Sequence, residues 1–431
     1  MSKRKMKDSG VEWLGEIPAE WDLVPARNLF SEVKDKNIDG KVTRQFSFRY
    51  GKIVDKDKSG RSDVTTDETI TAYRIVTPDT IMINGLNLNY DFISQRVAIV
   101  EERGIITSAY LALCPNKKLI EPAFAVYLFK GYDSKQVFHG HGSGIRKTLN
   151  YSDFKEIKTV CPDLSTQRKI AAYLDVRCAK IDEMISDAKK SIEEYKAWKA
   201  SVIFESVTGK NTGSKMKDSG VEWIGQVPEG WMLSKIGKVA RTSSGATPFR
   251  GNESEYFDNA TIRWVKTLDL NDGFVFDTEE KITEFALRSS SCKVMPVDTV
   301  MVAMYGGSGT IGKCGILKRA SATNQAVCSI ITERKLVDPY YLLNYLYAIK
   351  GSWMYFAVGT RKDPNINQQI VNQMSLPVPP LSEQRRIVDY LGLKCTAIDR
   401  VIAEKEALIA DLEAYKKSLI FECVTGKMEV A

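Results

Sequence analysis

Read end to end, this 431-residue chain repeats itself. "KMKDSGVEWLGEIPAEW" occupies 5–21 and "KMKDSGVEWIGQVPEGW" occupies 215–231, with twelve of seventeen positions identical. A second pair opens at "LSTQRKIAAYLDVRCAKIDEMI" from Leu164 and "LSEQRRIVDYLGLKCTAIDRVI" from Leu381. It closes with "IFESVTGK" at 203–210 and "IFECVTGK" at 420–427. The order is framework, variable stretch, long segment, then the same three again, which means two copies of one design. Between the copies, 22–163 and 232–380 share only traces. Asp79-Thr80-Ile81-Met82 resembles Asp298-Thr299-Val300-Met301, and "GIRKTLN" (144–150) resembles "GTRKDPNIN" (359–367). Scaffolds that stay alike while inserts diverge are expected where scaffolds meet identical partners and inserts meet different ones. Uneven drift under folding constraint alone is the competing account.

The long segments have the pattern of helices with a seam. Ile170, Leu174, Cys178, Ile181, Ile185, Ala188, Ile192, Tyr195 and Val202 recur mostly at steps of three and four. Ile387, Leu391, Cys395, Ile398, Ile402, Ile409, Leu412 and Leu419 do the same, with Lys405 interrupting. That is a heptad-like stripe. Ser165 and Ser382 sit where N-caps belong, and Gly209 and Gly426 where C′ glycines end a helix. Each helix of about 40 residues would be roughly 60 Å long. Pairing with its own copy gives an antiparallel two-helix rod; a coiled coil between two chains is the alternative.

The variable regions carry β-like runs, "DTIMING", "RVAIVEE" and "SAYLALCP", then "DTVMVAMYG", "QAVCSIIT" and "MSLPVPP". Helical patches intervene, "EPAFAVYLFKGY" and "DPYYLLNYLYAIKGSWMYFAV". Each insert is therefore expected to be a compact mixed α+β domain.

"MYGGSGTIGKCG", Met304 to Gly315, spells GxGxxG and most of a phosphate-binding P-loop. A working P-loop needs Ser or Thr after its lysine and a helix facing the phosphates. Here Cys314 follows Lys313, and "GILKRASATNQAVCSI" has β-like character. The dinucleotide fingerprint fails on the same missing helix. Between strands, such a loop instead lets backbone approach a ligand closely, with Tyr305, Ser308, Thr310 and Lys313 around it. Its first-half counterpart carries Asn84, Asn87 and Asn89, and asparagine suits bidentate reading of adenine. An ordinary pair of surface loops is the competing reading.

Other chemistry is sparse. The eight cysteines form no CxxC pair, which argues against a zinc ribbon or a disulfide framework. The two histidines, His139 and His141, have no cysteine or carboxylate in their stretch and offer few candidates for a general base. No catalytic or metal-ligating set can be assembled. No apolar run approaches the ~18 residues of a membrane span, and the N-terminus lacks a signal-peptide core, so a cytoplasmic location is expected. A net charge of +7 is compatible with a phosphate-binding surface but does not decide function.

Taken together, "GVEWLGEIPAEW", "LSTQRKIAAYLD", "LSEQRRIVDYL" and "SVIFESVTGK" resemble the framework of the specificity (S) subunit of type I DNA restriction–modification enzymes. The resemblance covers nearly the whole chain, and the duplicated elements are specific as a set. It implies an α+β protein with two mixed α/β target recognition domains (1–163 and 214–380). Two long antiparallel spacer helices (164–213 and 381–431) would separate them in a pseudo-two-fold repeat.

It further implies a non-catalytic subunit. Each recognition domain would read one half of a bipartite, asymmetric site on double-stranded DNA, and the helices would set the spacer. The framework would dock two methyltransferase (M) subunits, which hold S-adenosylmethionine, and a restriction (R) subunit using ATP and Mg could join. The chain itself would hold no cofactor. A DNA-binding or scaffold protein of the same fold, acting without a methyltransferase, is the alternative. In the first domain the DNA-binding candidates are Arg44, Arg49, Asn84, Asn87, Asn89, Arg96, Arg146 and Lys147. In the second they are Lys266, Tyr305, Ser308, Lys313, Asn324, Gln325, Arg361 and Lys362. For each, a surface or structural duty is the competing role.

Overall fold

The computed structural model describes residues 4–56, 67–92, 95–144, 147–249, 251, 253–306, 309–357 and 365–430. Their contacts divide into two compact units, one of residues 1–189 with 406–431 and the other of 190–405. The division cuts across the linear order because each unit takes one half of each long helix. Those helices are continuous over Leu164–Thr208 and Leu381–Val424. At 1.5 Å per residue the first is about 68 Å long.

Each framework copy folds alike. In the first unit Met6–Asp8 pairs antiparallel with Glu16–Pro18, Met6 opposite Pro18; in the second Met216–Asp218 pairs with Gln226–Pro228, Met216 opposite Pro228. The apolar positions of the motif, Leu14, Ile17 and Trp21, are buried, as are Ile224, Val227 and Trp231. Strand Asp22–Pro25 then pairs with Lys158–Cys161, and Met232–Lys235 with Ser375–Val378.

The inserts build different sheets on this base. The first unit has a four-stranded antiparallel sheet in the order Phe30–Glu32, Leu111–Pro115, Ile81–Ile83, Val97–Ile99, with helix Pro122–Ser134 packed against it. The second has a five-stranded sheet: Ala240–Ser244, Val327–Thr332, Val300–Ala303, Cys314–Leu317 and Gly273–Val275. All its pairs are antiparallel except the last. A further four-stranded sheet (Lys281–Ile282, Ile262–Val265, Ser321–Thr323 and Val294–Met295) is echoed in the first unit in pieces: the hairpin Phe46–Arg49 with Lys52–Asp55, and Arg74–Val76 paired with Gly104–Ile106, joined by the parallel bridge Gln45–Ile105. The β-like runs expected from the sequence all contain strands, and helix Pro339–Ala348 lies in the second helical patch.

The helix seam is as the periodicity implied. Ile170, Leu174, Cys178, Ile181 and Ile185 share a core with Leu419, Ile420, Cys423 and Val424 in the first unit. Val202, Ile203 and Val207 share one with Ile387 and Leu391 in the second. Lys405, the break in the stripe, lays its ammonium 5.8 Å from the centre of the Tyr195 ring. Within the second unit Lys199 binds both oxygens of Asp399 at 2.7 Å; with Tyr195 on Lys405, the contacts advance along one helix as they retreat along the other, so the helix halves run antiparallel. The repeat-equivalent pair, Lys416 with Asp182, closes at 2.6 Å in the first unit. Half-exposed pairs of this kind contribute at most about 1 kcal/mol each, so they select register while apolar burial holds the helices.

The caps differ in part from expectation. Asp163, not Ser165, accepts the backbone N–H of Thr166 at 3.0 Å, because the first helix begins at Leu164 and so places its cap two residues earlier. Ser382 likewise falls inside the first turn, since the second helix begins at Leu381. Gly209 and Gly426 do end their helices, at φ of +74° and +73°. A Cβ on Gly426 would meet the Pro18 ring at 2.4 Å, and one on Gly209 the Pro228 ring at 2.5 Å.

A buried amide locks each helix start. Gln167 is 0% exposed; it donates to the Pro162 carbonyl at 2.7 Å and the Leu119 carbonyl at 2.9 Å, and accepts from Glu121 N–H at 2.7 Å. Gln384, also 0% exposed, repeats the arrangement with Pro379, Leu336 and Asp338, each at 2.8 Å. We predict that Gln384→Leu, which leaves an amide N–H and two carbonyls unpaired in the interior, costs about 2–4 kcal/mol. Urea unfolding checks this; Gln384→Leu as stable as wild type would mean that the amide locks nothing.

Candidate nucleic-acid interface

In the first unit the loop that follows strand Ile81–Ile83 carries the asparagines, and it is built around Arg96. That side chain, expected at DNA, is 1% exposed. Its guanidinium donates to the carbonyls of Asn84 and Leu86 at 2.9 Å each and to that of Asp91, whose carboxylate lies 3.5 Å away. A buried guanidinium persists only with such partners, so Arg96 shapes the loop from inside rather than presenting a charge outside.

Around this anchor the loop surface is ordered. Asn84 is half-buried and accepts from Leu86 N–H at 3.2 Å. Asn89 is half-buried as well, while Asn87 is exposed at a φ of +54°. The segment before Asn150 is laced to this loop: Leu88 N–H donates to the Lys147 carbonyl at 3.1 Å, and Leu149 N–H to the Gly85 carbonyl at 2.9 Å. Lys147 is exposed there, and Arg146 lies outside the described residues. His139 bonds the Asp91 carbonyl at 3.1 Å and stacks on Phe92 with ring centres 5.0 Å apart, while His141 bonds the Val137 carbonyl at 2.9 Å. Both histidines thus have structural contacts.

A hairpin, Phe46–Arg49 with Lys52–Asp55, stands beside this loop. Its two-residue turn is Tyr50-Gly51, both at positive φ, and Tyr50 is 90% exposed. A Cβ on Gly51 would lie 2.7 Å from Gln95, so the turn packs directly on the chain leading to Arg96. Arg49 flanks the tip. Arg44, at the hairpin base, is bound to Asp55 at 2.9 Å and paired with Glu102; its charge is already matched by carboxylates. Tyr50 is not among the residues singled out by sequence, although Tyr-Gly between the alternating residues of "FSFRYGKIV" is a hairpin signal.

In the second unit Met304 gathers three loops. Its N–H donates to the Ala326 carbonyl at 2.8 Å and its carbonyl accepts from Ile366 N–H at 3.0 Å. Tyr305, next in sequence, is 36% exposed, and Gln325 is exposed, accepting from the Thr247 hydroxyl. Asn324 is a turn residue: its side chain accepts from Ala326 N–H at 3.0 Å and its own N–H donates to Val265. Lys266 is 19% exposed and bound to Glu280 at 2.8 Å, so its charge too is committed. Lys313 is half-buried; Ser308, Arg361 and Lys362 lie outside the described residues.

The glycine loop does not open a helix. Cys314–Leu317 is a strand paired with Val300–Ala303. Burial first, then Asp272 nearby, pushes the Cys314 thiol up. Gly312, at a φ of +79°, is required by packing, since a Cβ there would meet Trp353 at 2.3 Å. Among its described residues the loop has no helix terminus of the kind that holds phosphate in a P-loop.

Comparison with known proteins agrees with the motifs. Residues 228–413 match the family model described as the type I restriction modification DNA specificity domain. The putative type I restriction enzyme MjaX specificity subunit of Methanocaldococcus jannaschii is 24% identical over 440 residues, spanning 97% of this chain and 96% of the relative. The MjaVIII specificity subunit of the same organism is 23% identical, spanning 96% and 94%. A chain from a structure of complex assembly and conformational transition in a type I R-M system superposes with a TM-score of 0.72 at 15% identity, over 96% of this chain and 99% of that one. The HsdS subunit of Thermoanaerobacter tengcongensis superposes at 0.55 with 16% identity, over 96% and 98%. Residues 228–413 therefore match a type I DNA specificity domain, and over nearly its full length the chain is similar to type I specificity subunits.

Burial raises the Asp133 carboxyl to about 6, offset in part by the Arg96 charge, the Arg96 N–H and His139 and reinforced by Asp91. A carboxyl raised above its unfolded value near 3.8 favours folding while protonated, and that contribution is lost as pH rises through about 6. We predict that wild type loses about 2 kcal/mol between pH 4.5 and 7 relative to Asp133→Asn. Urea unfolding at the two pH values measures the difference; equal pH dependence in both proteins contradicts it.

Proposed function

We propose that this chain is the non-catalytic sequence-reading subunit of a type I restriction–modification complex acting on cytoplasmic DNA. Each recognition domain reads one half of a bipartite, asymmetric duplex site. The long helices set the distance between half-sites. The two framework copies dock two methyltransferase subunits, which bring S-adenosylmethionine, and a restriction subunit with ATP and Mg joins them when cleavage is required.

The observation that carries this reading is the contrast between scaffold and insert. The framework hairpins, the buried glutamines and the reciprocal Lys–Asp pairs recur bond for bond, whereas the sheets they support differ in strand number and direction. Identical surfaces suit two copies of one partner; unlike surfaces suit two unlike base sequences. Major-groove reading by linked modules needs centres about one helical turn (~34–36 Å) apart, or a multiple. A helix of 45 residues is a stiff element on that scale. Among the candidates, Arg49, Asn87, Lys147, Tyr305, Lys313 and Gln325 are offered as DNA contacts, with Asn84, Asn89 and Asn324 shaping the loops that hold them. Arg146, Ser308, Arg361 and Lys362 remain proposed contacts on sequence grounds, while Arg44, Arg96 and Lys266 are positioning residues. No helix among the described residues is long and apolar enough to cross a membrane.

The test is co-expression with a type I methyltransferase subunit and genome-wide mapping of methylated adenine. One split sequence should be modified, and replacing 232–380 with the matching region of another such chain should change one half of it only. Deleting one heptad from each long helix, in register, should alter the spacer and neither half-site. Methylation without sequence preference, or a swap that alters both halves, contradicts the proposal.

A further inference from the structure

The second unit contains a cleft of about 490 Å³ bordered by Lys235, Lys238 and Arg241 on one side and by Gln368, Asn372 and Gln373 on the other. Among the described residues no carboxylate lines it. Lys238 and Arg241 are exposed, and neither has a carboxylate partner among the described residues. Lys235 donates to the Ser375 hydroxyl at 3.1 Å. The Asn372 carbonyl oxygen is occupied by the Thr242 hydroxyl at 2.8 Å, which leaves its amide NH₂ as the remaining polar group. Gln368 is fixed by bonds to Thr242 and Ser244. The cleft is therefore lined by donors and positive charge, and suits an anion rich in oxygen acceptors.

The first unit offers an internal comparison. Its equivalent positions hold Pro25, Asn28 and Ser31 in place of the three cations, and Tyr151, Lys155 and Glu156 in place of the amides. There Tyr151 donates to the Phe30 carbonyl at 2.8 Å, and Arg27 is paired with Glu156. The backbone around both sites matches: Ala26 N–H donates to Ile157 in one unit, Ile236 N–H to Met374 in the other. The scaffold folds without the cations, so folding does not require them.

We propose that this cleft is a phosphodiester-anchoring site that seats the DNA backbone beside the second recognition domain. The inference rests on the DNA-reading proposal above and adds a site to it. Location favours backbone over a small free anion. Arg241 lies on Ala240–Ser244, the edge strand of the five-stranded sheet. Beyond that strand the chain continues to Ala246, whose N–H donates to Thr323, and to Thr247, which donates to Gln325. At ~3.3 Å per residue, Arg241 and Thr247 are at most about 20 Å apart. One stretch of chain thus links the cationic cleft to the loops gathered at Met304. Backbone contacts position a protein on DNA while base contacts specify sequence; this cleft would supply affinity and register, not preference.

The experiment measures binding of the full chain, alone or with its methyltransferase subunit, to a mixed-sequence 40-base-pair duplex across a KCl series. Removing one phosphate-binding cation lowers the slope of log K against log salt by roughly 0.9, so Lys238→Gln with Arg241→Gln should lower it by about 2. Lys169→Gln with Lys180→Gln, which removes the same charge from the exposed face of a long helix, should leave the slope near wild type. Thermal unfolding should be unchanged in both pairs, because Lys238 and Arg241 hold no carboxylate partner. An unaltered slope in the cleft variant, or an equal fall in both, overturns the site. So does loss of inorganic-phosphate binding by calorimetry with duplex binding intact, which would mark a small-anion site, and so does loss of methyltransferase association. A wild-type chain that binds no duplex overturns the DNA-reading proposal itself, an outcome distinct from an unaltered slope.

Discussion

Each unit of this protein is closed by apolar side chains drawn from both long helices. In the first unit the core under helix Pro122–Ser134 is completed by Leu419, Ile420, Cys423 and Val424, almost three hundred positions away in the chain. Gly131 in that helix packs closely on the second long helix, since a Cβ there would lie 3.1 Å from a Val424 methyl. In the second unit Val202, Ile203 and Val207 do the same service beside Tyr341, whose hydroxyl donates to the Val207 carbonyl at 3.0 Å. Each unit's core draws on residues of both long helices. Burial of this kind is worth roughly 25 cal/mol per Å² of apolar surface. It therefore outweighs the surface ion pairs along the seam, whose contribution is to discriminate one register from its neighbours.

What the inserts preserve is as informative as what they change. Asp79 and Asp298 both sit at positive φ, 69° and 66°, immediately ahead of the central strands Ile81–Ile83 and Val300–Ala303. Asn150 and Asn367 each cap the short helix that follows, accepting from Asp153 and Ile370 N–H. These are the positions where faint similarity survives between regions otherwise unlike. Their duties concern entry angle and backbone satisfaction, which any insert on this scaffold must meet. The loops between them meet no such condition, and so they are free to diverge.

This explains which features the sequence disclosed. Repeats, helix seams and strand runs depend on local periodicity, and the glycine loop could be separated from a P-loop because Cys314 and the β-like run after it are local too. Partnership at a distance leaves no such trace. Arg44 and Lys266 look like free cations in sequence, yet Glu102 and Glu280 neutralise them from 58 and 14 residues away. Arg96 looks like a surface charge at the head of a strand, and only the fold shows three backbone carbonyls converging on it. Gln167 and Gln384 look like polar surface positions on amphipathic helices. Their role depends on carbonyls contributed by Leu119 and Leu336, about fifty residues upstream.

If the two inserts read DNA as proposed, two unlike reading surfaces on one scaffold raise a shared physical demand. Base readout by loops such as 84–92 needs a rigid approach, because a bidentate amide or guanidinium discriminates only when its geometry is fixed. The first unit obtains rigidity from inside, through Arg96 beneath the asparagines and Gln95 beneath the hairpin turn. In the second, the loops are cross-linked at Met304 by backbone bonds, and the cationic cleft lies along the adjoining edge strand. A guanidinium buried for loop shape is unavailable for backbone attraction, since one charge cannot be both desolvated and presented. On the proposed function, the first unit commits Arg96 to shaping a reading loop, while the second presents Lys238 and Arg241 to the polymer being read. A bipartite reader built from two such halves would draw its affinity unequally from them, while each half keeps its own say over sequence.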